Sequence, residues 1–307
     1  MNAPHARVRA AAHWRVAPPF AAGLEAGARI DLGGRLCGAQ LARACADAGF
    51  EPQALVVVST IMSQSISMQP RGQARFLDAV ERACGLRPQA LMNAYMCVGW
   101  AFALRHFVRH TDAKRLAVAI VDLDVHNLDW HLRHPVIGPS GFGVSTLLFE
   151  LPDDRGAPPV CSGPHANSAF NDFVMALKAH QARHGAQPTF IPFTVEALAA
   201  TARRVLAEGS LGPNRNAAYG HCFGADPWIG LIEWLAASPP DGERTAVAGA
   251  IGFNGYYGFA PVRVAPCTRA ELRLIDGAAD ALERAIAEFS PTPIAGETHP
   301  PLEFLDA

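Results

Sequence analysis

The chain has 307 residues, half of them hydrophobic and 18% charged, with a formal net charge of −2. This length and composition allow a large core in one α/β domain or in two halves of ordinary size. No cluster of Lys and Arg indicates nucleic-acid binding, and no apolar run approaches the ~20 residues that span a bilayer. The first ten residues lack a secretory apolar segment and the seven cysteines form no CxxC pair. We therefore expect a reduced, cytoplasmic protein without disulfides or a zinc site.

The first half reads as alternating helices and strands. Residues 1–30 are rich in Ala, Pro and Arg without a clear period, which predicts a loosely ordered arm. Hydrophobic period and turn residues then predict helices over 38–48, 73–84 and from the late 90s to about 110, and a strand over 54–62. Continuous apolar runs, typical of strands covered on both faces, follow at 115–124 and 141–150. Pro152–Pro159 breaks the pattern and marks the predicted junction between residues 1–160 and 161–307.

The second half repeats the alternation more sparsely. Its pattern predicts helices over 169–184, 194–208 and 227–237 and strands over 245–251 and 259–264. A C-terminal helix over Arg269–Phe289 and a Pro-rich tail close the chain. Strand and helix alternation in both halves predicts stacked mixed sheets with helices between and around them.

One cysteine stands where a loop turns into an apolar helix, in the sequence Ala94-Tyr-Met-Cys-Val-Gly-Trp100. At a helix start, unpaired N–H groups and the positive end of the helix dipole favour a thiolate. Because the thiolate is the nucleophile, Cys97 is a candidate acyl acceptor. The alternative is a buried structural cysteine.

Four motifs in order resemble the thiolase-like condensing enzymes, and among them the β-ketoacyl-ACP synthase III branch. Asn93–Trp100 is similar to the nucleophile loop, with one residue more between Asn93 and the cysteine. Gly141–Glu150 resembles the strand that ends the first half, and Gly249–Val264 resembles the final glycine-rich hairpin. Tyr219–Ala225 is similar to the turn that carries an asparagine in this branch. The resemblance covers about residues 35–265 and implies an α/β thiolase-like fold of two pseudo-repeated halves in α-β-α-β-α layers.

The resemblance also implies site residues. His221 occupies the asparagine position and is expected to act as base or hydrogen-bond donor beside the catalytic Cys97. Backbone N–H groups of Cys97 and Phe253 are expected to form an oxyanion hole, where Gly252 and Gly255 let the backbone approach the substrate. No cofactor and no metal are expected, since thioester chemistry with a free thiol needs neither.

Two aromatic residues, Phe193 and Tyr256, are expected to line the acyl pocket. Phe193 occupies the position where the branch carries its histidine, and a phenylalanine cannot donate a hydrogen bond to a carbonyl. Ordinary decarboxylative elongation uses two hydrogen-bond donors to the enolate. The absence of the histidine donor at position 193 therefore favours acyl transfer without decarboxylation. We expect transfer of the acyl group to a small amine, an alcohol or a pre-formed carbon nucleophile.

Further histidines need an interpretation. His165, in Gly163-Pro-His-Ala-Asn167, resembles a histidine box, and we interpret it as a loop residue. The alternative is a loop that folds back and brings His165 to the site. Five polar residues resemble a metal cluster but lack ligand spacing, and we interpret them as a polar loop near a dimer interface: Asp122, Asp124, His126, His131 and His134.

The function implied is a ketoacyl synthase III-like acyltransferase that carries an acyl-Cys97 thioester in specialised-metabolite or fatty-acyl-derived biosynthesis. Its donor is an acyl carrier protein or acyl-CoA. The branch's coenzyme A-binding arginine and tryptophan have no match in Ala21–Leu36, which favours an acyl carrier protein or a small thioester as donor. Members of this fold pair across an edge strand, which implies a homodimer or a heterodimer with a paralogue. The alternative is a non-catalytic, chain-length-factor-like partner subunit, which the lost histidine favours and the retained cysteine opposes.

Overall fold

A computed structural model describes residues 4–134, 137–152, 156–166 and 168–288. Its strands are β1 (Arg7–Val16), β2 (Ala54–Val58), β3 (Ala90–Met92), β4 (Arg115–Asp122), β5 (Arg133–His134), β6 (Gly138–Pro139), β7 (Phe142–Glu150), β8 (Val160–Ser162), β9 (Thr189–Phe190), β10 (Arg244–Ile251), β11 (Tyr257–Val264) and β12 (Arg269–Ile275). Its α-helices are α1 (Ala26–Ala48), α2 (Met62–Ser67), α3 (Gly72–Cys84), α4 (Gly99–His110), α5 (Asp129–Leu132), α6 (Ala169–His184), α7 (Glu196–Val205), α8 (Asn216–Tyr219), α9 (Asp226–Ala237) and α10 (Ala279–Ala287).

The main sheet repeats one strand pattern. Its order is β3-β2-β4-β7-β1-β11-β10-β9, with β12 paired to β1 and β8 paired to β11. Strand β4 runs parallel to β2 and antiparallel to β7, and β10 runs parallel to β9 and antiparallel to β11. Between β1 and β11 the register joins Arg7 to Arg263. Two similar halves therefore meet at this narrow junction. Residue 160 stays a proposed boundary, but β12 pairs with β1 and α10 packs in the core with α1, so these C-terminal elements lie with the first half.

Helices cover and separate the two parts of the sheet. Successive residues of β4 face opposite sides, so Ala119 and Val121 join the core with α1 and α3, while Ile120 joins the core with α4 and α9. Between the two parts, the rings of Trp100 on α4 and Trp228 on α9 meet edge to face at 4.8 Å. Helices α6 and α7 pack on the outer face of β10 and β11. These layers confirm the predicted α-β-α-β-α architecture.

The predicted N-terminal arm is wrong, because Arg7–Val16 is a central strand. β1 pairs antiparallel with β7 and parallel with β12. Its small residues Ala10, Ala11 and Ala12 are buried. A strand rich in Ala and Arg has little intrinsic β-propensity, so pairing on both sides stabilises it rather than its own sequence.

The predicted helix over Arg269–Phe289 is wrong for its first part. Arg269–Ile275 forms β12, and the helix α10 spans only Ala279–Ala287. Ala, Glu, Leu and Arg are good helix formers, but pairing with β1 outweighs that preference. Phe289 and the Pro-rich tail lie outside the described residues.

Helix α1 begins twelve positions earlier than the predicted helix over 38–48 and is 23 residues long. Two of its glycines allow α3 to approach closely: a Cβ at Gly34 would lie 2.6 Å from the Ala79 Cβ, and one at Gly38 would lie 2.6 Å from the Ala83 Cβ. Within the described part of the chain, no helix combines the length and the apolar run that crossing a bilayer requires.

Candidate active site

Cys97 stands on a sharp turn between strand β3 and helix α4. The preceding residue, Met96, has a φ of +47°, in the left-handed region that a non-glycine residue seldom adopts. Such a conformation costs about 1–2 kcal/mol and is characteristic of functional turns. A short 3-10 turn over Met96–Val98 carries Cys97 to the amino end of α4. There the positive end of the α4 dipole favours negative charge near the sulfur.

His221 faces this cysteine from the second half. Its Nε2 lies 3.8 Å from the Cys97 Sγ. The His221 backbone donates to the Pro139 carbonyl at 2.7 Å and accepts from the Gly141 N–H at 2.9 Å. Gly220, at φ +73°, permits this close approach, since a Cβ there would lie 2.7 Å from the Pro139 oxygen. The histidine turn is therefore fixed against the first half, opposite the nucleophile loop.

A third residue, Asp226, completes a Cys–His–Asp arrangement. Its Oδ2 lies 2.5 Å from the His221 Nδ1, and Asp226 is fully buried. Its carboxylate also accepts the backbone N–H of Cys222 at 2.6 Å and that of Phe193 at 2.8 Å. Asp226 begins α9, followed by Pro227. Its carboxylate thus faces His221, with backbone donors on both sides.

The hydrogen bonds define the protonation of His221. Its Nδ1 faces two acceptors, the Asp226 carboxylate and the Phe193 carbonyl at 3.2 Å, and therefore carries a proton. Burial alone lowers the pKa of His221, but Asp226 and then Cys97 outweigh it and raise that pKa well above 6.5. Burial raises the pKa of Asp226, which His221 and the two N–H donors partly offset. We infer that His221 is protonated, which places a positive charge 3.8 Å from the Cys97 sulfur.

Thr60 approaches the sulfur from the first half. Its hydroxyl donates to the Cys97 Sγ at 3.6 Å. The buried carboxylate of Asp122 fixes this loop by accepting the backbone N–H of Thr60 at 2.6 Å, that of Ile61 at 3.0 Å and the Ser59 hydroxyl at 3.2 Å. Burial raises the pKa of Asp122 to about 6, although these donors and His221 oppose the rise.

The interpretation of residues 122–134 as a polar loop is corrected for three of them. Asp122, Asp124 and His131 are buried. Asp124 accepts the Leu128 N–H at 2.8 Å and lies 3.1 Å from His131. Among the described residues, no three His, Cys, Asp or Glu side chains are placed to hold a metal ion.

A cavity of about 470 Å³ opens beside Cys97 and His221. This volume lies within the range of small-molecule sites. Its wall is mostly apolar, with Ile137, Phe170 and Leu198 among the lining residues. His165 also lines it, so the alternative of a loop that folds back to the site is the one the structure adopts.

The glycine-rich loop borders the same cavity. Gly252, Phe253 and Gly255 line it together with Cys97. The Gly255 N–H donates to the Gly252 carbonyl at 3.0 Å, and Asn254 donates to the Ala94 carbonyl at 2.8 Å. The loop is thus held against the nucleophile turn, where the oxyanion hole formed by the Cys97 and Phe253 N–H groups remains a prediction.

The two predicted acyl-pocket rings lie elsewhere. Phe193 packs with Cys222, Ala225 and Ile229 in a separate cluster. Tyr256 contacts the rings of Tyr95 and Phe102 edge-on, at 5.3 and 5.7 Å. Neither ring is among the described residues that line the cavity. Their neighbours in sequence, Pro192, Thr194 and Gly255, take that place.

No protein-family model and no curated protein matches the sequence. Solved structures do resemble it. The 3-oxoacyl-(acyl carrier protein) synthase III of Pseudomonas aeruginosa has a TM-score of 0.58 at 13% identity, covering 85% of this chain and 99% of that one. A priming β-ketosynthase of a polyketide biosynthetic pathway has a TM-score of 0.57 at 14% identity, covering 86% of this chain and 97% of that one. ChlB3, described as an "aceyltransferase", has a TM-score of 0.61 at 11% identity, covering 87% of this chain and 99% of that one.

The chain has the thiolase-like fold of β-ketoacyl synthase III enzymes. This confirms the fold expected from the motif order. At 11–14% identity the likeness concerns the fold, and the chemistry of this chain rests on its own residues.

Sequence reasoning missed Asp226 and Thr60. Asp226 stands in an Asp-Pro pair at a helix start, five residues after His221, and that pattern is typical of ordinary helix N-termini. Its short distance from His221 was the available signal. Thr60 carried no local signal, because only the tertiary packing of β2 beside the nucleophile turn brings it to Cys97.

Proposed function

We propose that this protein is an acyltransferase that forms a thioester on Cys97 and passes the acyl group to a second substrate. The observation that carries the proposal is the Cys97–His221–Asp226 arrangement, at 3.8 and 2.5 Å, on the wall of an apolar cavity. A nucleophile, a charged histidine and an orienting carboxylate in this order are the components of covalent acyl transfer.

In the acylation step, the Cys97 thiolate attacks the carbonyl carbon of a carrier thioester. A new S–C bond forms, the C–S bond to the carrier breaks, and the carrier sulfur leaves as a thiolate that takes a proton from solvent. His221 keeps its proton, since the buried Asp226 stabilises the imidazolium. We assign the oxyanion to the N–H groups of Cys97 and Phe253, which border the cavity.

The residue at position 193 supports transfer over elongation. Decarboxylation of a malonyl thioester produces an enolate that needs hydrogen-bond donors at its oxygen. The Phe193 side chain is apolar and packs away from the cavity. Its backbone N–H and carbonyl are already engaged by Asp226 and His221. Position 193 therefore supplies no second donor.

Similarly folded proteins include a 3-oxoacyl-(acyl carrier protein) synthase, a ketosynthase and ChlB3, named as an acyltransferase, which agrees with a thioester donor and acyl transfer. We keep as proposals an acyl carrier protein or acyl-CoA donor, a small-molecule acceptor, a cytoplasmic dimer and a role in specialised-metabolite or fatty-acyl-derived biosynthesis. The non-catalytic partner is less favoured, because such a role would not need a buried carboxylate behind His221.

Intact-mass measurement after incubation with acyl-CoA and acyl-carrier-protein donors tests the proposal. We expect an acyl adduct on the wild-type protein and none on Cys97→Ala. Cys267→Ala, which removes an exposed thiol away from the cavity, is the matched control and should acylate like the wild type. Absence of an adduct with every donor, alone or beside a paralogue, would support the partner role instead.

A further inference from the structure

His165, which lines the cavity, belongs to a second chain of polar contacts that does not include His221. The Nδ1 of His165 lies 3.1 Å from the Asp172 carboxylate, and its Nε2 lies 3.0 Å from the Ser162 hydroxyl. Ser162 ends β8 and Asp172 lies in the first turn of α6. The order hydroxyl, imidazole, carboxylate is that of a general-base site.

His165 is held from several sides. Its ring stacks on the buried ring of Tyr257 at 5.3 Å, with 25° between the planes. Its backbone N–H donates to the Gly255 carbonyl at 2.9 Å. Gly255 belongs to the loop that Asn254 ties to the nucleophile turn. The position of His165 is therefore coupled to that of Cys97 through the glycine-rich loop.

The tautomer of His165 follows from its partners. Because an ionised carboxylate only accepts hydrogen bonds, Nδ1 carries the proton and Nε2 presents a lone pair. In the structure that lone pair receives the hydroxyl of Ser162. An incoming hydroxyl group could take the same position after rotation of the Ser162 side chain. The side chain of His165 is 31% exposed, so solvent can carry a proton away from it.

His221 is poorly suited to this task. It faces the sulfur, and its Nδ1 is bound to a buried carboxylate. That contact raises its pKa well above 6.5, although burial opposes the rise. An imidazolium stabilises a thiolate but cannot accept the proton of an acceptor. The discharge of an acyl-enzyme by a neutral alcohol therefore requires another base.

We propose that His165, oriented by Asp172, is the general base for the second half of the reaction and that the acceptor is an alcohol. This inference rests on the acyl-Cys97 intermediate of the proposed function. The acceptor O–H bond breaks as its proton passes to the His165 Nε2, and the oxygen forms a bond to the acyl carbon. The C–S bond to Cys97 then breaks. The products are an ester and a Cys97 thiolate beside the His221 imidazolium, and His165 releases its proton to solvent.

Single-turnover kinetics separate the two halves of the reaction. The acyl-enzyme is formed with acyl-CoA, freed of donor and mixed with ethanol, and the loss of acyl mass is followed in time. We expect His165→Gln to acylate at the wild-type rate and to undergo alcoholysis roughly 100-fold more slowly, the usual range for a general base. The alcoholysis rate of Asp172→Asn should lie between those of the wild type and His165→Gln. Ser162→Ala, which frees the Nε2 lone pair, should react at least as fast as the wild type.

Two probes distinguish a base from a merely structural residue. A more acidic fluorinated alcohol needs less help with its proton, so the deficit of His165→Gln should shrink with it, whereas a structural defect would slow both alcohols equally. Hydroxylamine, which attacks as a neutral amine, should discharge the wild type and His165→Gln alike. His110→Gln, which changes an exposed histidine at the end of α4, is the matched control and should retain alcoholysis.

The outcomes are separable. An acyl-enzyme that both proteins discharge to ethanol at one rate refutes the role of His165. An acyl-enzyme that no alcohol discharges faster than buffer does refutes the alcohol acceptor, and rapid reaction with amines or with malonyl thioester would name its replacement. If no acyl adduct forms, the proposed function itself fails, which is a different result from either.

Discussion

Replacement of Asp226 by Asn tests whether the buried carboxylate maintains the reactive state of Cys97. The substitution keeps the size of the side chain but leaves one acceptor oxygen, so only one of the N–H groups of Cys222, bound by Oδ1, and Phe193, bound by Oδ2, keeps its partner. It removes the negative charge that lies 2.5 Å from the His221 Nδ1. We expect His221 to become neutral near pH 7, and the sulfur to lose its cationic partner.

The size of the effect follows from the geometry. The charge centres of carboxylate and ring lie about 4 Å apart, where unit charges attract by about 4 kcal/mol at an effective dielectric of about 20. Burial of the carboxylate cancels part of this gain, as its raised pKa indicates. A net loss of about 3 kcal/mol corresponds to a roughly 100-fold slower reaction of the sulfur, since 1.4 kcal/mol is a factor of ten.

The rate of alkylation by iodoacetamide measures the reactivity of the Cys97 sulfur without any acyl donor. We expect Asp226→Asn to react with iodoacetamide roughly 100-fold more slowly than the wild type near pH 7, because its sulfur lacks a cationic partner. Peptide mapping assigns the label. The pKa of Cys222 is well above 9.0, mainly through burial, so its thiol should stay unlabelled.

Asp241→Asn, an exposed carboxylate paired with Arg244, is the control for this experiment and should match the wild type. Thermal unfolding of Asp226→Asn shows whether the fold is retained. Equal alkylation rates in a folded Asp226→Asn protein and the wild type would refute the reasoning, because the imidazolium would then not depend on Asp226.

Two further predictions concern pH and stability. Burial raises the pKa of Asp122 from 3.8 to about 6. The protonated carboxyl therefore contributes to stability below about pH 4, and this contribution is lost as pH rises through 6. In urea unfolding, Asp122→Asn should be up to about 3 kcal/mol more stable than the wild type at pH 7.5 and nearly as stable as the wild type at pH 4. A less stable Asp122→Asn at pH 7.5 would contradict this. Burial lowers the pKa of His13 to about 3. Below about pH 6.5 the imidazole is therefore protonated in the unfolded chain but not in the folded protein, and the free energy of unfolding falls by about 1.4 kcal/mol per pH unit toward pH 3. His13→Gln should remove that slope. Because the two groups act with opposite signs between about pH 4 and pH 6, each variant should change the pH profile in the opposite direction.

Motif order along the sequence was sufficient for the fold and for two of the three residues of the Cys97–His221–Asp226 arrangement. The nucleophile turn is a local feature, since a loop, a cysteine and an apolar helix follow each other directly in Ala94–Val108. His221 was recognised by its place in a glycine-flanked turn before the final hairpin. Both inferences rested on local motifs and on their order along the chain.

What the sequence did not reveal depends on contacts between distant segments. β1 is a strand because β7 and β12 flank it, and β12 is a strand because β1 pairs with it. Neither segment carries a strong β pattern of its own. Likewise Phe193 and Tyr256 are large apolar residues near the site in sequence, but the direction of their side chains is decided by packing, which periodicity does not resolve in loops.

The same packing explains why position 193 matters without a polar side chain. Its backbone N–H donates to Asp226 and its carbonyl faces the His221 Nδ1. Both polar groups of that residue therefore orient the histidine, while its ring packs with Cys222 and Ala225. A second donor for an enolate would need a side chain directed into the cavity from this segment. The segment instead supports a single charged histidine at the sulfur, an arrangement suited to holding an acyl group on Cys97 until an acceptor arrives.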